Sequence, residues 1–338
     1  MITVMKHVKT TLLLLAFFAA NSLWAQQAGD EVYCAYNGFE MTNLDIPLTE
    51  IFQAGPGKDG IPSLEIPRFV NVDRSEFLKD NDLVIGVMHN GVAKAYPIRI
   101  MNYHEVINDQ YGDESLVVTY SPLTATAAAF SADIDGKAHT FGVSGLLYNN
   151  NLLIYDWETE SLWSQMKGQA VTGQVSGKPL QNVVTNTSTW AAWKAKYPDT
   201  KVLSPRTGYK RNYEIDPYAM FGPESRRLMF PVARRNKKLP LKEQVVGLNY
   251  EGVARAYPLA LLKNTANKPL QDNLNGLHIT IQYDAVAKSV TVKDDAGHEL
   301  PAMTSYWYAW SSIFPDTDIH GFLPQDYNLA MQFLTGGK

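Results

Sequence analysis

Val84-Ile-Gly86-Val-Met-His-Asn-Gly91-Val-Ala-Lys-Ala-Tyr96-Pro97 decides the fold class of this chain. Two short apolar runs, residues 83–88 and 92–96, flank Asn90-Gly91. That dipeptide tolerates positive φ at both central positions of a two-residue turn, so the stretch predicts a β-hairpin. The pattern returns 161 positions later, without a gap, as Val245-Val-Gly247-Leu-Asn-Tyr-Glu-Gly252-Val-Ala-Arg-Ala-Tyr257-Pro258. Further along, Val118-Thr119-Tyr120 corresponds to Ile281-Gln282-Tyr283, and Asp135-Gly136 to Ala296-Gly297. A period this long excludes a solenoid, whose repeats run to about 50 residues at most. It reads as a duplicated domain with two similar β-rich halves.

The rest of the chain agrees with this reading. Residues 116–120 and 152–155 are short apolar runs typical of buried strands, and Asp135-Gly136 marks another hairpin, between residues 127–134 and 138–143. Helical patterns are fewer. Residues 98–107 follow Pro97, which suits a first helical turn. Residues 188–197 carry Trp190 and Trp193 and stop before Pro198, and residues 306–314 form a third candidate. The expected class is therefore mainly β with short helices (α+β). The first half is expected over 59–204 and the second over 205–338, after a mixed lead-in at 26–58.

The N-terminus reads as a secretory signal peptide over residues 1–25. Lys6 and Lys9 precede the apolar run 10–20, and the small residue Ala25 stands before Gln26. The run is short of the about 20 residues that span a bilayer. No later segment is long and apolar enough to do so. An exported protein of the periplasm or the medium is expected. The net charge of −4 offers no basic footprint for nucleic acid. The single cysteine, Cys34, cannot form an intrachain disulfide, and a buried thiol is the plain expectation.

Several further motifs carry a resemblance. They are Lys58-Asp-Gly-Ile-Pro62, Asp82-Leu-Val-Ile-Gly86, Ala93-Lys-Ala-Tyr-Pro97 and Asn102-Tyr-His104-Glu105-Val-Ile-Asn-Asp109. Phe141-Gly-Val-Ser-Gly-Leu-Leu-Tyr-Asn149, Glu160-Ser-Leu-Trp163-Ser-Gln165 and, more loosely, Tyr213-Glu-Ile-Asp-Pro-Tyr218 extend them. Together they resemble the bacterial domain of unknown function 3179 family over most of the mature chain. The resemblance implies an exported protein and supplies no activity. Many relatives carry Cys-Pro-Leu-Cys after the Val-Thr-Tyr strand, where this chain has Ser121-Pro122-Leu123-Thr124. Paired thiolates bind soft metals or cycle in redox reactions; hydroxyls do neither well.

The halves differ where chemistry would sit. His104-Glu105 faces Thr265-Ala266 in the alignment, and Ser121–Thr124 faces Asp284–Ala287. That asymmetry makes His104, Glu105, Tyr120, Ser121, Thr124 and Ser144 the candidate site, against the plainer reading that His104 packs or caps. A serine hydrolase would pair Ser121 or Ser144 with His104, but no nucleophile elbow and no third orienting group is identifiable. A metal site on His104, Glu105, His89 or His139 lacks close ligand spacing, so no metal and no cofactor is expected. Trp157, Trp163, Tyr148 and Tyr155 around Asn149-Asn150-Asn151 suit sugar or peptide recognition, but a β core suits them better. The basic run Arg234-Arg235-Asn236-Lys237-Lys238 reads as a solvated loop. The preferred function is ligand binding or an accessory envelope role, with a small-molecule or envelope partner. The competing class is a metal-handling protein or enzyme around His104 and the 121–124 loop.

Overall fold

A computed structural model of the protein describes residues 35–265 and 268–321; the expected signal peptide, Cys34 and Ala266 lie outside them. Four α-helices occur among the described residues: α1 (Ile98–His104), α2 (Trp190–Lys196), α3 (Leu259–Asn264) and α4 (Trp307–Ile313). The rest of the regular structure is β, in small sheets of two to five strands. None of the described helices is long and apolar enough to cross a membrane.

Both matched stretches form hairpins of one register. Leu83–His89 pairs with Val92–Pro97 from Val84↔Pro97 to His89↔Val92, and Gln244–Tyr250 pairs with Val253–Pro258 from Val245↔Pro258 to Tyr250↔Val253. The turn residues have positive φ in each: Asn90 (48°) and Gly91 (74°), Glu251 (49°) and Gly252 (82°). Pro97 and Pro258 then cap α1 and α3. A proline there loses nothing, since the first helical N–H groups have no intrahelical acceptor.

The packing around the hairpins also repeats. A Cβ on Gly86 would lie 2.2 Å from the Trp193 ring, and one on Gly247 would lie 2.2 Å from the Trp310 ring. Each indole lies flat on bare backbone, which only glycine allows. Each indole N–H donates to a threonine seven residues on, Thr200 and Thr317, at 2.9 Å. A strand flanks each hairpin antiparallel, Thr185–Thr189 and Met303–Tyr306, and another joins it in parallel, Lys201–Leu203 and Asp318–Ile319.

Each half adds a three-stranded meander: Val106–Tyr111, Glu114–Ser121 and Thr126–Ser131 in the first, Leu270–Leu274, Leu277–Asp284 and Ser289–Asp294 in the second. Two of the backbone hydrogen bonds between the halves stand at matching positions, one in each direction. Thr189 N–H donates to the Ala287 carbonyl (2.8 Å), and Tyr306 N–H donates to the Thr124 carbonyl (3.1 Å). Thr189 and Tyr306 stand at matching positions, as do Ala287 and Thr124, so the contact has the self-complementary form of a two-fold interface. Beside this seam, one apolar cluster joins Phe39, Ile51 and Leu146 to Trp307, Tyr308 and Trp310.

The first half carries more. Four strands between Ser131 and Thr185, namely Phe141–Tyr148, Asn151–Asp156, Leu162–Ser164 and Gln169–Ala170, form a further sheet with Ile51–Gln53. No such sheet lies between Asp294 and Met303 in the second half. Its first strand comes from the lead-in and pairs with Leu146–Tyr148.

Two local expectations need correction. The helix expected over 98–107 stops at His104, because Glu105 takes φ 57° and the β-branched pair Val106-Ile107 enters a strand opposite Thr119 and Val118. Branched side chains fit a pleated surface better than a helix. The hairpin at Asp135-Gly136 is confined to Asp133–Ile134 and Lys137–Ala138, while the flanking residues join other sheets.

Candidate functional site

Glu105 is the first residue after α1. Its N–H closes the last helical turn onto the Met101 carbonyl (2.8 Å), and its own carbonyl accepts from Tyr120 N–H (2.8 Å). A non-glycine residue at φ 57°, ψ −32° is strained by about 1–3 kcal/mol, which the surrounding structure must outweigh. The conformation turns the chain from helix to strand within one residue. The side chain is buried, 6% exposed. Its Oε1 accepts one hydrogen bond, from the Tyr218 hydroxyl at 2.9 Å. Burial pushes the Glu105 carboxyl up to about 7, against the opposing effect of that hydrogen bond.

This carboxyl lines a cavity of about 230 Å³. Ser121, Pro122 and Leu123 form one wall, Val143, Leu146 and Leu152 of the extra sheet another, and Pro217, Tyr218 and Met229 the outer side. Among the described residues, Glu105 is the only ionisable group in the wall besides the Tyr218 phenol. The bulge at Ser144-Gly145, where the register of Phe141–Tyr148 shifts, shapes the inner surface. Gly145 sits at φ 71°, and a Cβ there would lie 2.3 Å from the Pro56 carbonyl, so glycine is required.

The structure brings together Glu105 and Ser121 from the candidate set and places the others around them. His104 is fully buried behind the wall. Its Nδ1 donates to the Pro62 carbonyl (2.8 Å), which leaves Nε2 to accept from the Tyr213 hydroxyl (2.8 Å). Burial lowers the imidazole below its usual value, which favours the neutral form that this pairing uses. Neither serine bonds to it. Ser121 Oγ accepts from Leu152 N–H at 3.2 Å. Ser144 Oγ accepts from Leu146 N–H at 3.0 Å and donates to the Leu153 carbonyl, which stitches the bulge. Thr124 Oγ1 accepts from Asn151 Nδ2 at 3.1 Å, and Asn151 also donates to Gln165 at 2.8 Å. Gln165 in turn donates to Thr119 Oγ1 at 2.9 Å. Beneath the 121–124 loop the hydroxyls thus serve a closed, buried network. Tyr120 does not line the cavity that Glu105 faces; it lines a different one, at the seam between the halves.

The other sequence candidates have structural partners. Asn149 bonds Glu50 and Ala233, and Asn150 bonds Phe230 and Pro231, so the asparagine run anchors the 205–243 segment. Trp163, Tyr148 and Tyr155 are buried; Trp157 is half exposed. Arg234, Arg235, Lys237 and Lys238 are exposed. His139, Asp156 and Glu158 offer ligand atoms within 4.8 Å of one another. Asp156, however, already accepts from Trp163 Nε1 and from Thr159 N–H and Oγ1 at 2.7–2.8 Å, as a turn-capping aspartate does.

Reasoning from the sequence missed Tyr218, Pro217 and Met229. They belong to the strand-poor segment 205–243, which lies across the first half through Tyr213–His104, Glu214–Arg99 and Asp216–Asn102 contacts. The Tyr213–Tyr218 motif was the available signal.

A family model described as "Protein of unknown function (DUF3179)" matches residues 58–317. No curated protein and no solved structure matches the chain.

Proposed function

The chain belongs to the DUF3179 family of proteins of unknown function, and from that premise we propose that it is an exported, non-catalytic ligand-binding protein of the cell envelope, built of two duplicated halves. The observation that carries the binding role is the Glu105 carboxyl, buried and facing an apolar cavity. Ligand sites are concave and mostly apolar, with a few placed polar groups. At about 230 Å³ the cavity is below the usual range of about 300–1,000 Å³, so its occupant is small. The ligand class is a small apolar molecule with one polar group, a hydroxyl or an amine, that bonds Glu105 and Tyr218. Near neutral pH the carboxyl can meet a neutral donor as an acid or an ammonium as a carboxylate.

Export rests on the charged–apolar–small order of residues 1–25. Intact mass of the secreted product beginning at Gln26 supports it; a soluble product retaining residues 1–25 contradicts it.

Calorimetric titration with benzyl alcohol, benzylamine and toluene tests the site. The alcohol and the amine are expected to bind one to one, and Glu105→Gln to weaken the amine by about 10-fold or more, the size of a hydrogen bond to a charged group. No binding by either, or binding indifferent to Glu105, contradicts the proposal.

A second reading draws on the same carboxyl: a group titrating near 7 suits general acid–base catalysis. Ser121, the neighbouring hydroxyl, already accepts a backbone N–H, and no side-chain base among the described residues bonds it. The metal-handling alternative would need donors at Ser121 and Thr124. Purified wild type is expected to hold no stoichiometric copper or zinc there, because neutral hydroxyls are poor ligands for either. Elemental analysis of wild type and of the Ser121→Cys, Thr124→Cys double variant tests this.

A further inference from the structure

A second cavity, of about 300 Å³, lies on the seam between the two halves and does not touch Glu105. Its walls are matched across that seam. Leu83 corresponds to Gln244, Ile98 to Leu259 and Tyr120 to Tyr283, each pair holding the same position in its half and lining the cavity. Thr187 and Thr304 match as well, since each pairs with the third residue of its hairpin strand, Ile85 and Val246. The cavity therefore sits where the approximate two-fold relation of the hydrogen bonds Thr189–Ala287 and Tyr306–Thr124 places its axis.

The match fails in charge. Lys288 stands at φ 52° at the end of its turn, where the first half has Ala125 at φ 54°. Lys263 stands on α3 where α1 has Asn102, which turns to Asp216 instead. Both lysines line the cavity, and no aspartate or glutamate does. Neither ammonium meets a carboxylate among the described residues; Lys263 lies over the Tyr283 ring at 5.9 Å. Tyr120, 7% exposed, is a further lining residue. The charged groups of the wall are therefore both cations, set around an apolar body of Leu83, Ile98, Val246, Leu259 and Val290.

We propose that this seam cavity binds a small monoanion with an apolar body, such as a medium-chain carboxylate, its head held by Lys263 and Lys288. The apolar wall supplies the affinity, and the two cations select the sign of the charge. The pairing also gives the cavity a structural consequence: an occupant touches both halves and ties them together.

Octanoate is the probe, titrated calorimetrically into the full mature chain. Acetate supplies the charge without the body, and octyltrimethylammonium the body with the opposite charge. Octanoate is expected to bind one to one, and the other two not. Each of Lys263→Met and Lys288→Met is expected to weaken octanoate by about 5-fold and both together by about 25-fold, as one partly exposed ion pair apiece would give. Both lysines are exposed, so folding of the variants is not at issue. Glu105→Gln is expected to leave octanoate binding unchanged. Failure of octanoate to bind, binding insensitive to both lysines, or loss of binding in Glu105→Gln overturns the proposal, the last by assigning the ligand to the other cavity.

Discussion

The turns Ser121–Ala125 and Asp284–Lys288 occupy the same place in their halves and have different neighbours. Both join the second and third strands of a meander, and both end on a residue at positive φ. Asp284 caps its own turn, accepting from Val286 and Ala287 N–H groups at 2.8 Å, and the turn stays largely at the surface. Ser121 instead accepts from Leu152 of the extra sheet, and Thr124 from Asn151. One scaffold element is thus a mostly exposed turn in one half, reaching the seam cavity through Ala285 and Lys288, and a buried wall of the Glu105 cavity in the other. What differs is the sheet of residues 141–170 inserted beside it. Backbone geometry alone does not make the site; the second layer that dries it does.

The largest effects should be shared by the two halves. Trp193→Ala and Trp310→Ala each empty the space above a glycine and leave a threonine hydroxyl without its donor. Each is expected to cost about 3–5 kcal/mol in denaturant unfolding. A large loss in one half beside a small one in the other would break the equivalence of the two scaffolds.

The next effect should belong to the first half alone. The Glu105 carboxyl is raised from 4.5 to about 7 in the folded protein. Its contribution to stability is therefore full below about pH 4.5 and is lost as pH rises through about 7, because the unfolded chain releases the proton first. The loss amounts to about 3 kcal/mol at about 1.4 kcal/mol per pH unit. Glu105→Gln should flatten this part of the stability profile. An unchanged slope between pH 4.5 and 7 would place the titration elsewhere.

A smaller contrast concerns the cation under each hairpin. Lys94 donates to both Asp109 oxygens (2.8 and 2.9 Å), and Tyr96 bonds the same carboxylate. Arg255 and Tyr257 repeat this on Asp272, where His320 Nδ1 adds a third contact at 3.0 Å. Lys94→Met should cost about 2 kcal/mol and Arg255→Met about 1, because the more exposed second cluster keeps His320. Equal losses would mean that His320 contributes nothing. The smallest effect expected is that of Ser121→Ala, about 1 kcal/mol for the acceptor lost to Leu152 N–H. Asp284→Ala should cost less, since solvent replaces its bonds.

The hairpins, their proline-led helices and the tryptophan helices were legible because turn residues and apolar spacing are local signals. The differences of His104-Glu105 from Thr265-Ala266 and of Ser121–Thr124 from Asp284–Ala287 were legible too, and the first of them put Glu105 among the candidates. The end of α1 was misread because apolar periodicity runs on through Val106-Ile107, and only the pairing with Thr119 and Val118 decides for a strand. Tyr218 was not legible as a partner of Glu105, since 113 residues separate them and a segment with no strand of its own delivers it. The seam cavity was invisible for the same reason: Lys263 and Lys288 acquire meaning only once the two halves face each other.

The buried carboxyl itself can be observed directly. In protein labelled with ¹³C at glutamate side-chain carboxyls, Glu105 can be assigned by the peak missing from Glu105→Gln and followed through a pH titration. An apparent pKa near 7, falling when benzylamine is added, is the expected result. Titration in the ordinary carboxylate range, indifferent to the amine, would mean that water reaches the group freely and that the cavity is not a binding site.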